Sequence, residues 1–231
     1  MRPEPRPHWR STWASHSKRA VLFDLDGTLL DSAPDLANAA NVLRGRRGLP
    51  PLPVEVLRPF VSQGARGMIT QGLQVAVDHP DYEALRQAFL EIYTDCLADQ
   101  TGFWPGMEEV VDVLDQNAVP WGIVTNKIMR FTEPLLRKID LWDRCAVVVG
   151  GDTTEHAKPH PRPMTYAIER LGLPATAVLY VGDDLRDIES GFAAGTWTAG
   201  CDFGHHTQAP FPAEWGADLI IKNPVELIQH L

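Results

Sequence analysis

Asp24 and Asp26 stand one residue apart in Asp24-Leu25-Asp26-Gly27-Thr28, directly after the apolar run Ala20-Val21-Leu22-Phe23. That run reads as a buried strand, so two carboxylates sit where a strand gives way to a loop. Like charges this close are costly to bury unless a cation shares the site. The pattern points to a divalent metal, to a paired acid and nucleophile, or to both; an Asp-Gly turn capping the strand is the plainer alternative. Three more strand ends carry matching chemistry. Thr125-Asn126 follows Val124, and a hydroxyl with nearby backbone N–H groups can hold phosphate oxygens, although Thr-Asn after a strand is usually just a turn. Lys158-Pro159 follows the next strand and offers a cation; a solvated loop lysine is the plainer alternative. Last come Asp183, Asp184 and Asp187, after Val181-Gly182. N-capping explains one of them, but three acids in five positions repel without a cation.

These residues need elements to place them. Apolar runs over 20–23, 121–124, 146–149, 177–181, 197–199 and 219–221 read as strands. Between them lie helical patterns over 108–114 and 163–171, and Asn223-Pro224 supplies an N-cap and a first-turn proline ahead of 225–228. Continuous apolar strands alternating with helices predict an α/β fold, a parallel sheet with helices on both faces, which binds ligands at the carboxyl ends of its strands. The segment 35–102 breaks the alternation. It shows helical stripes (Leu36, Ala39, Ala40, Leu43; then Tyr82, Leu85, Phe89, Ile92, Cys96) and no strand pattern, behind a capping-box signature at Ser32-Ala33-Pro34-Asp35. Inserted just after the acidic strand end, it is expected to form a helical cap overhanging the site as a lid, with 103–106 as the return hinge. The expected organisation is a basic tail over 1–19, a core over 20–34 and 103–231, and a cap over 35–102.

Composition sets outer bounds. The chain has 231 residues, 44% of them hydrophobic, and a net charge of −9, which suits one large domain with an inserted lobe and disfavours nucleic acid and anionic membrane as partners. Three widely spaced cysteines, Cys96, Cys145 and Cys201, argue against a disulfide framework and for a reducing, cytoplasmic compartment. No apolar stretch approaches the length that spans a bilayer. The first 19 residues carry Arg2, Arg6, Arg10, Lys18 and Arg19 against Glu4 alone, with no apolar core of a secretory signal. A disordered or loosely docked tail is the expectation there, with a contact arm as the alternative.

Taken in order, Asp24 to Thr28, Thr125-Asn126, Lys158-Pro159 and Gly182 to Asp187 resemble the four signatures of the haloacid dehalogenase superfamily, and the helical insertion resembles that family's first-type cap. Within the superfamily the chain is similar to phosphoglycolate phosphatases. It is more similar still to the bacterial N-acetylmuramic acid 6-phosphate phosphatases of cell-wall recycling, through 61–66, 130–134, 182–189 and Trp215-Gly216-Ala217-Asp218. The resemblance implies an Mg²⁺-dependent phosphatase acting on a small phosphorylated metabolite. Asp24 would be its nucleophile and Asp26 its general acid and base. Thr125, the Asn126 N–H and Lys158 would hold phosphate. Asp24, the Asp26 carbonyl and Asp183 would hold the metal, with Asp187 a ligand or the holder of a metal-bound water and Asp184 ranked lower. Dehalogenases of the superfamily lack the second aspartate, so Asp26 and the acidic run argue against their chemistry. Two alternatives stay open: a phosphomutase of the β-phosphoglucomutase type, and a catalytically silent phosphate-binding module. Arg66 is the candidate grip for a substrate carboxylate, which phosphoglycolate and N-acetylmuramic acid 6-phosphate both carry; an ordinary surface arginine is the equal alternative. His156 and His160 flank Lys158 and His205-His206 follow a strand end; they read as solvated loop residues, with a place lining the site entrance as the alternative. The sequence leaves oligomeric state open.

Overall fold

The computed structural model describes residues 3–205 and 210–231; His206 lies outside them. In chain order the elements begin with α1 (Trp9–Ser15), β1 (Ala20–Phe23), β2 (Leu30–Asp31), α2 (Ala33–Arg46), α3 (Val54–Leu57), α4 (Gly64–Gly72) and α5 (Tyr82–Asp95). They continue with β3 (Gly102–Phe103), α6 (Met107–Gln116), β4 (Trp121–Val124), α7 (Met129–Lys138), β5 (Val147–Val149) and α8 (Arg162–Leu171). The last are β6 (Val178–Gly182), α9 (Leu185–Ala194), β7 (Trp197–Cys201) and β8 (Leu219–Ile221). The chain divides into two compact units, one of Met1–Leu30 with Phe103–Leu231 and one of Asp31–Gly102.

The first unit is built on a six-stranded sheet in the order β5-β4-β1-β6-β7-β8, parallel at every pairing. All residues of β1, β4, β6 and β7 are buried, because helices cover both faces and leave no polar side to the strands. Side chains alternate across the sheet. Ala20 and Leu22 of β1 join Val124, Val147, Val149, Val178 and Tyr180 against Met164 and Ala167 of α8. On the opposite face Phe23 meets Trp121 edge-on, ring centroids 6.4 Å apart. The expected strands are all present with ends shifted by at most two residues. The C-terminal turn over Pro224–His230 is 3₁₀, not α; Asn223 still caps it, its side chain accepting from the Glu226 N–H at 3.3 Å.

The N-terminal segment is packed, which corrects the expected loose tail. Trp9 and Trp13 of α1 are buried. Arg6 pairs with Asp218 at 2.5 Å, also donates to the Thr196 carbonyl, and lies over the Trp197 ring at 4.4 Å. Composition hid this because the five cations suggested solvation, whereas one of them neutralises a buried carboxylate and two tryptophans supply apolar anchors. Asp218 also accepts from the Thr198 N–H at 2.9 Å, so the acid ties the segment to β7. Arg6→Ala should strand Asp218, at a cost of about 1–3 kcal/mol, and lower Tm by roughly 3–9 °C. A thermal melt unchanged within a degree would show that the segment is not anchored there.

The second unit is helical. Ser32 occupies the N-cap position of α2 but makes no side-chain cap bond, a correction to the capping-box reading. Asp35 points elsewhere: its carboxylate accepts from the Gln100 N–H at 3.0 Å and from the Thr101 N–H and hydroxyl at 2.9 and 2.6 Å. The acid of the motif thus ties the unit's two ends together instead of closing its own helix. Asn41 makes a second clamp, bonding both the N–H and carbonyl of Leu52 at 2.8 and 2.9 Å.

Candidate active site

The sheet order explains why residues from four distant stretches meet. Register pairs Phe23 with Ile123 on one side and Val181 on the other, so β1 ends between β4 and β6. Beyond the last paired residues, the Asp24 N–H donates to the Val181 carbonyl and the Thr125 N–H to the Val149 carbonyl, both at 2.9 Å. Asp24, Thr125 and Asp183 therefore leave adjacent strands at one carboxyl edge.

Lys158 reaches this edge from the loop between β5 and α8. Its side chain is 3% exposed, and its ammonium donates to Asp24 Oδ1 at 2.8 Å and Asp187 Oδ1 at 2.7 Å. It also contacts the Val124 carbonyl at 3.0 Å and the Tyr180 hydroxyl at 2.8 Å. Burial opposes the charged ammonium, but Asp187 and Asp24 outweigh it and raise the lysine pKa. The plainer reading of a solvated loop lysine does not hold. Asn126 fixes the loop that carries it: the amide donates to the Lys158 carbonyl at 3.0 Å and accepts from the Lys158 N–H at 2.9 Å. The Asn126 side chain is thereby spent on positioning.

The acids are arranged by the turns that bear them. Asp183 is buried and accepts from the Thr28 hydroxyl and the His205 N–H, each at 2.9 Å. Gly27, at φ 92°, lets the turn after β1 come this close; a Cβ there would lie 2.4 Å from Asp183 Oδ2. Asp184 is the N-cap of α9, accepting from the Arg186 N–H, and pairs with the Arg186 guanidinium at 2.8 Å. Asp187 completes the capping box, its Oδ2 accepting from the Asp184 N–H at 3.1 Å, while its Oδ1 faces Lys158. Capping and charge clustering therefore both operate, on different oxygens. Oxygens of Asp24, Asp183 and Asp187 lie within 4.8 Å of one another. Burial, then Asp24 and Asp187, push the Asp183 carboxyl well above its usual range. Burial likewise pushes Asp187 up to about 7, against the pull of Lys158. Three converging carboxylates, with Asp183 and Asp187 held back from ionising by burial, are a donor set that favours a hard divalent cation.

Asp26 stands apart from that trio of side chains. It is paired through both carboxylate oxygens with Lys127 Nζ at 3.1 Å. Lys127 is held by its backbone: its carbonyl accepts from the Gly151 N–H at 2.9 Å and the Thr132 hydroxyl at 3.1 Å. Three contributors were not singled out from the sequence: Lys127, Thr28 and Tyr180. Tyr180 had a signal, since a lone phenol in an apolar strand must find a partner. Thr28 closes the first motif and Lys127 follows the second, but nothing in the sequence signalled their contacts. Arg66 belongs to the second unit, exposed on α4. The rings of His156 and His160 lie 4.1 Å apart, tilted at 38°, with both residues exposed, consistent with solvated loop residues. His205 is buried against Trp104 instead, a correction to its reading as solvated.

The fold and site can be set beside known proteins. The chain is 42% identical over 213 residues to an N-acetylmuramic acid 6-phosphate phosphatase of Pseudomonas aeruginosa, covering 92% of this chain and 94% of that one. It is 43% identical over 212 residues to a phosphoglycolate phosphatase of Xanthomonas campestris, covering 90% and 94%. A crystal structure of a predicted phosphoglycolate phosphatase from Haemophilus somnus shares the fold with a TM-score of 0.81 at 24% identity, over 93% of this chain and 98% of that one. The haloacid dehalogenase-like hydrolase family matches residues 21–201, a span that holds Asp24, Asp26, Thr125, Lys158, Asp183 and Asp187, and the chain belongs to that family.

Proposed function

We propose that the protein is a divalent-cation-dependent phosphomonoester hydrolase, working through an aspartyl phosphate on Asp24 and acting on a small ester that also carries a carboxylate. The observation that carries this reading is the buried cluster in which Lys158 bridges Asp24 and Asp187 beside Asp183. The substrate class takes support from the relatives named for N-acetylmuramic acid 6-phosphate and phosphoglycolate.

Lys158 holds Asp24 Oδ1 and so fixes the rotation of the carboxylate. A carboxylate oxygen of Asp24 attacks phosphorus, and the bond from phosphorus to the ester oxygen breaks. The departing oxygen takes a proton from Asp26. Water then attacks the phosphorus of the aspartyl phosphate, gives a proton to Asp26, and orthophosphate leaves with Asp24 regenerated. Lys158, Thr125 and the Asn126 N–H face the charge that spreads over the phosphoryl oxygens. Asp24, Asp183, Asp187 and the Asp26 carbonyl would hold Mg²⁺, which when bound offsets the charge of bringing a phosphate against carboxylates. A filled set of acid, nucleophile and cation positions disfavours the silent module, and multiple-turnover phosphate release would exclude the mutase.

The test is phosphate release from a panel of phosphorylated acids and sugars, with MgCl₂ and with EDTA. Turnover that survives EDTA undiminished would refute the metal site. A linked expectation concerns stability. Asp187 titrates near 7 when folded against 3.8 ordinarily. Its contribution is present at low pH and lost as pH rises from about 4 to about 7, where the cation finds its ligands ionised. Saturating MgCl₂ should therefore raise Tm by roughly 5–10 °C at pH 8, corresponding to about 2.7 kcal/mol at 100 times Kd, and far less at pH 5. An equal gain at both values would contradict the assignment.

Lys127 sets a further expectation. If it orients Asp26 for proton transfer, Lys127→Met should cost about 10-fold or more on an alkyl phosphate, whose leaving group needs the proton. The cost on p-nitrophenyl phosphate, a good leaving group, should be smaller. Equal losses on the two would remove Lys127 from the proton-transfer step.

A further inference from the structure

The Lys158 ammonium has three protons and four oxygen neighbours: Asp24, Asp187, Tyr180 and the Val124 carbonyl. The Tyr180 hydroxyl has one proton. It lies 2.7 Å from the Val124 carbonyl and 3.1 Å from Asp187 Oδ1. The assignment that satisfies each atom best has Lys158 donating to Asp24, Asp187 and Tyr180, with Tyr180 donating to the shorter contact at Val124. Tyr180 is then the one neutral side chain on the ammonium, and it is moored to backbone. Its ring is fully buried in the sheet core with Met164 and Ala167, so the hydroxyl has little room to move.

We infer that Tyr180 is a positioning residue for phosphoryl transfer, acting through Lys158. This rests on the reading of Lys158 as the cation that faces the phosphoryl group. One of the three acceptors on that cation changes during the proposed cycle: Asp24 loses its charge on becoming an acyl phosphate. Tyr180 keeps its neutral hydroxyl throughout. It holds the ammonium in place when the Asp24 contact is exchanged for a phosphoryl oxygen. It also couples that position to Val124, the residue before Thr125, so the two phosphate-facing groups share one anchor. Charge-assisted hydrogen bonds to a phosphoryl oxygen depend on such preorganisation.

The experiment is a double-mutant cycle with Tyr180→Phe and Lys158→Met, read by kcat and KM on one phosphate ester and by the Kd of orthovanadate, all in saturating MgCl₂. Phenylalanine keeps the ring and its packing, and thermal melts of all four proteins check the fold. In the wild-type background Tyr180→Phe should lower kcat about 10-fold, leave KM within about threefold, and weaken vanadate by a similar factor. In the Lys158→Met background the same change should move vanadate affinity by less than about twofold, because the group it positions is gone. Equal losses in both backgrounds would make Tyr180 a packing residue and overturn the inference, as would wild-type kcat in Tyr180→Phe. Wild-type turnover in Lys158→Met would instead overturn the reading of Lys158 beneath it, and the inference with it.

Discussion

Asp24→Asn should leave a folded protein whose phosphate release falls by about 10⁴-fold or more. The substitution is near-isosteric. The backbone N–H at 24 still donates to the Val181 carbonyl, and an amide oxygen still accepts from Lys158 at the position of Oδ1. What is lost is the nucleophile, since an amide does not form the acyl phosphate. One negative charge also leaves a site where burial and mutual repulsion already raise Asp183 and Asp187. The variant should therefore melt at the wild-type temperature or above it in EDTA. Turnover within about tenfold of wild type would remove Asp24 from the covalent role, whereas a lost melt would show that its charge is needed for folding.

Lys158→Met should be nearly as damaging, through a different balance. Methionine fills much the same volume but strands Asp24 and Asp187, which both face the ammonium at under 3 Å. Breaking such a pair costs about 3–5 kcal/mol when one charge is left buried, and losing a cation aimed at the phosphoryl group costs about 10²–10³ in kcat. The stability deficit carries a sign that identifies its cause. Asp187 is raised to about 7 even with Lys158 beside it, and without the ammonium it rises further. A folded-state pKa above the unfolded one means that stability is retained at low pH and lost as pH climbs through the folded value. The deficit against wild type should thus be small at pH 5, large at pH 8, and partly repaired by MgCl₂. A deficit independent of pH would mean lost packing and not lost charge.

The strands were legible because each is a short apolar run bounded by turn residues, and parallel strands buried on both faces leave that pattern. Asp24 and Asp183 were legible because strand-end carboxylates announce themselves by cost. The tail was misread since its charges are counted easily and its partner, Asp218, stands 212 residues away. Asp35 was misread because a capping box and a long-range clamp use the same residue type; only the fold decides which N–H groups it meets. Lys127 and Tyr180 do their work through contacts 101 and 22 residues away in sequence, which no local spacing encodes. Asp187 lies beside Asp24 and Asp183, but its division between a helix cap and Lys158 follows from the turn of α9 and not from the motif.

In the proposed cycle Asp24 carries the phosphoryl group covalently. The direct measurement is an acid quench of the enzyme during turnover, borohydride reduction, trypsin digestion and tandem mass spectrometry of the peptide spanning 20–44, which ends at the arginines flanking it. Reduction of an aspartyl phosphate yields homoserine. Homoserine is expected at position 24 in samples quenched with substrate present, with none at Asp26 and none in Asp24→Asn. Modification at Asp26, or steady turnover with aspartate recovered intact at 24 under conditions that trap an authentic acyl phosphate, would contradict that cycle.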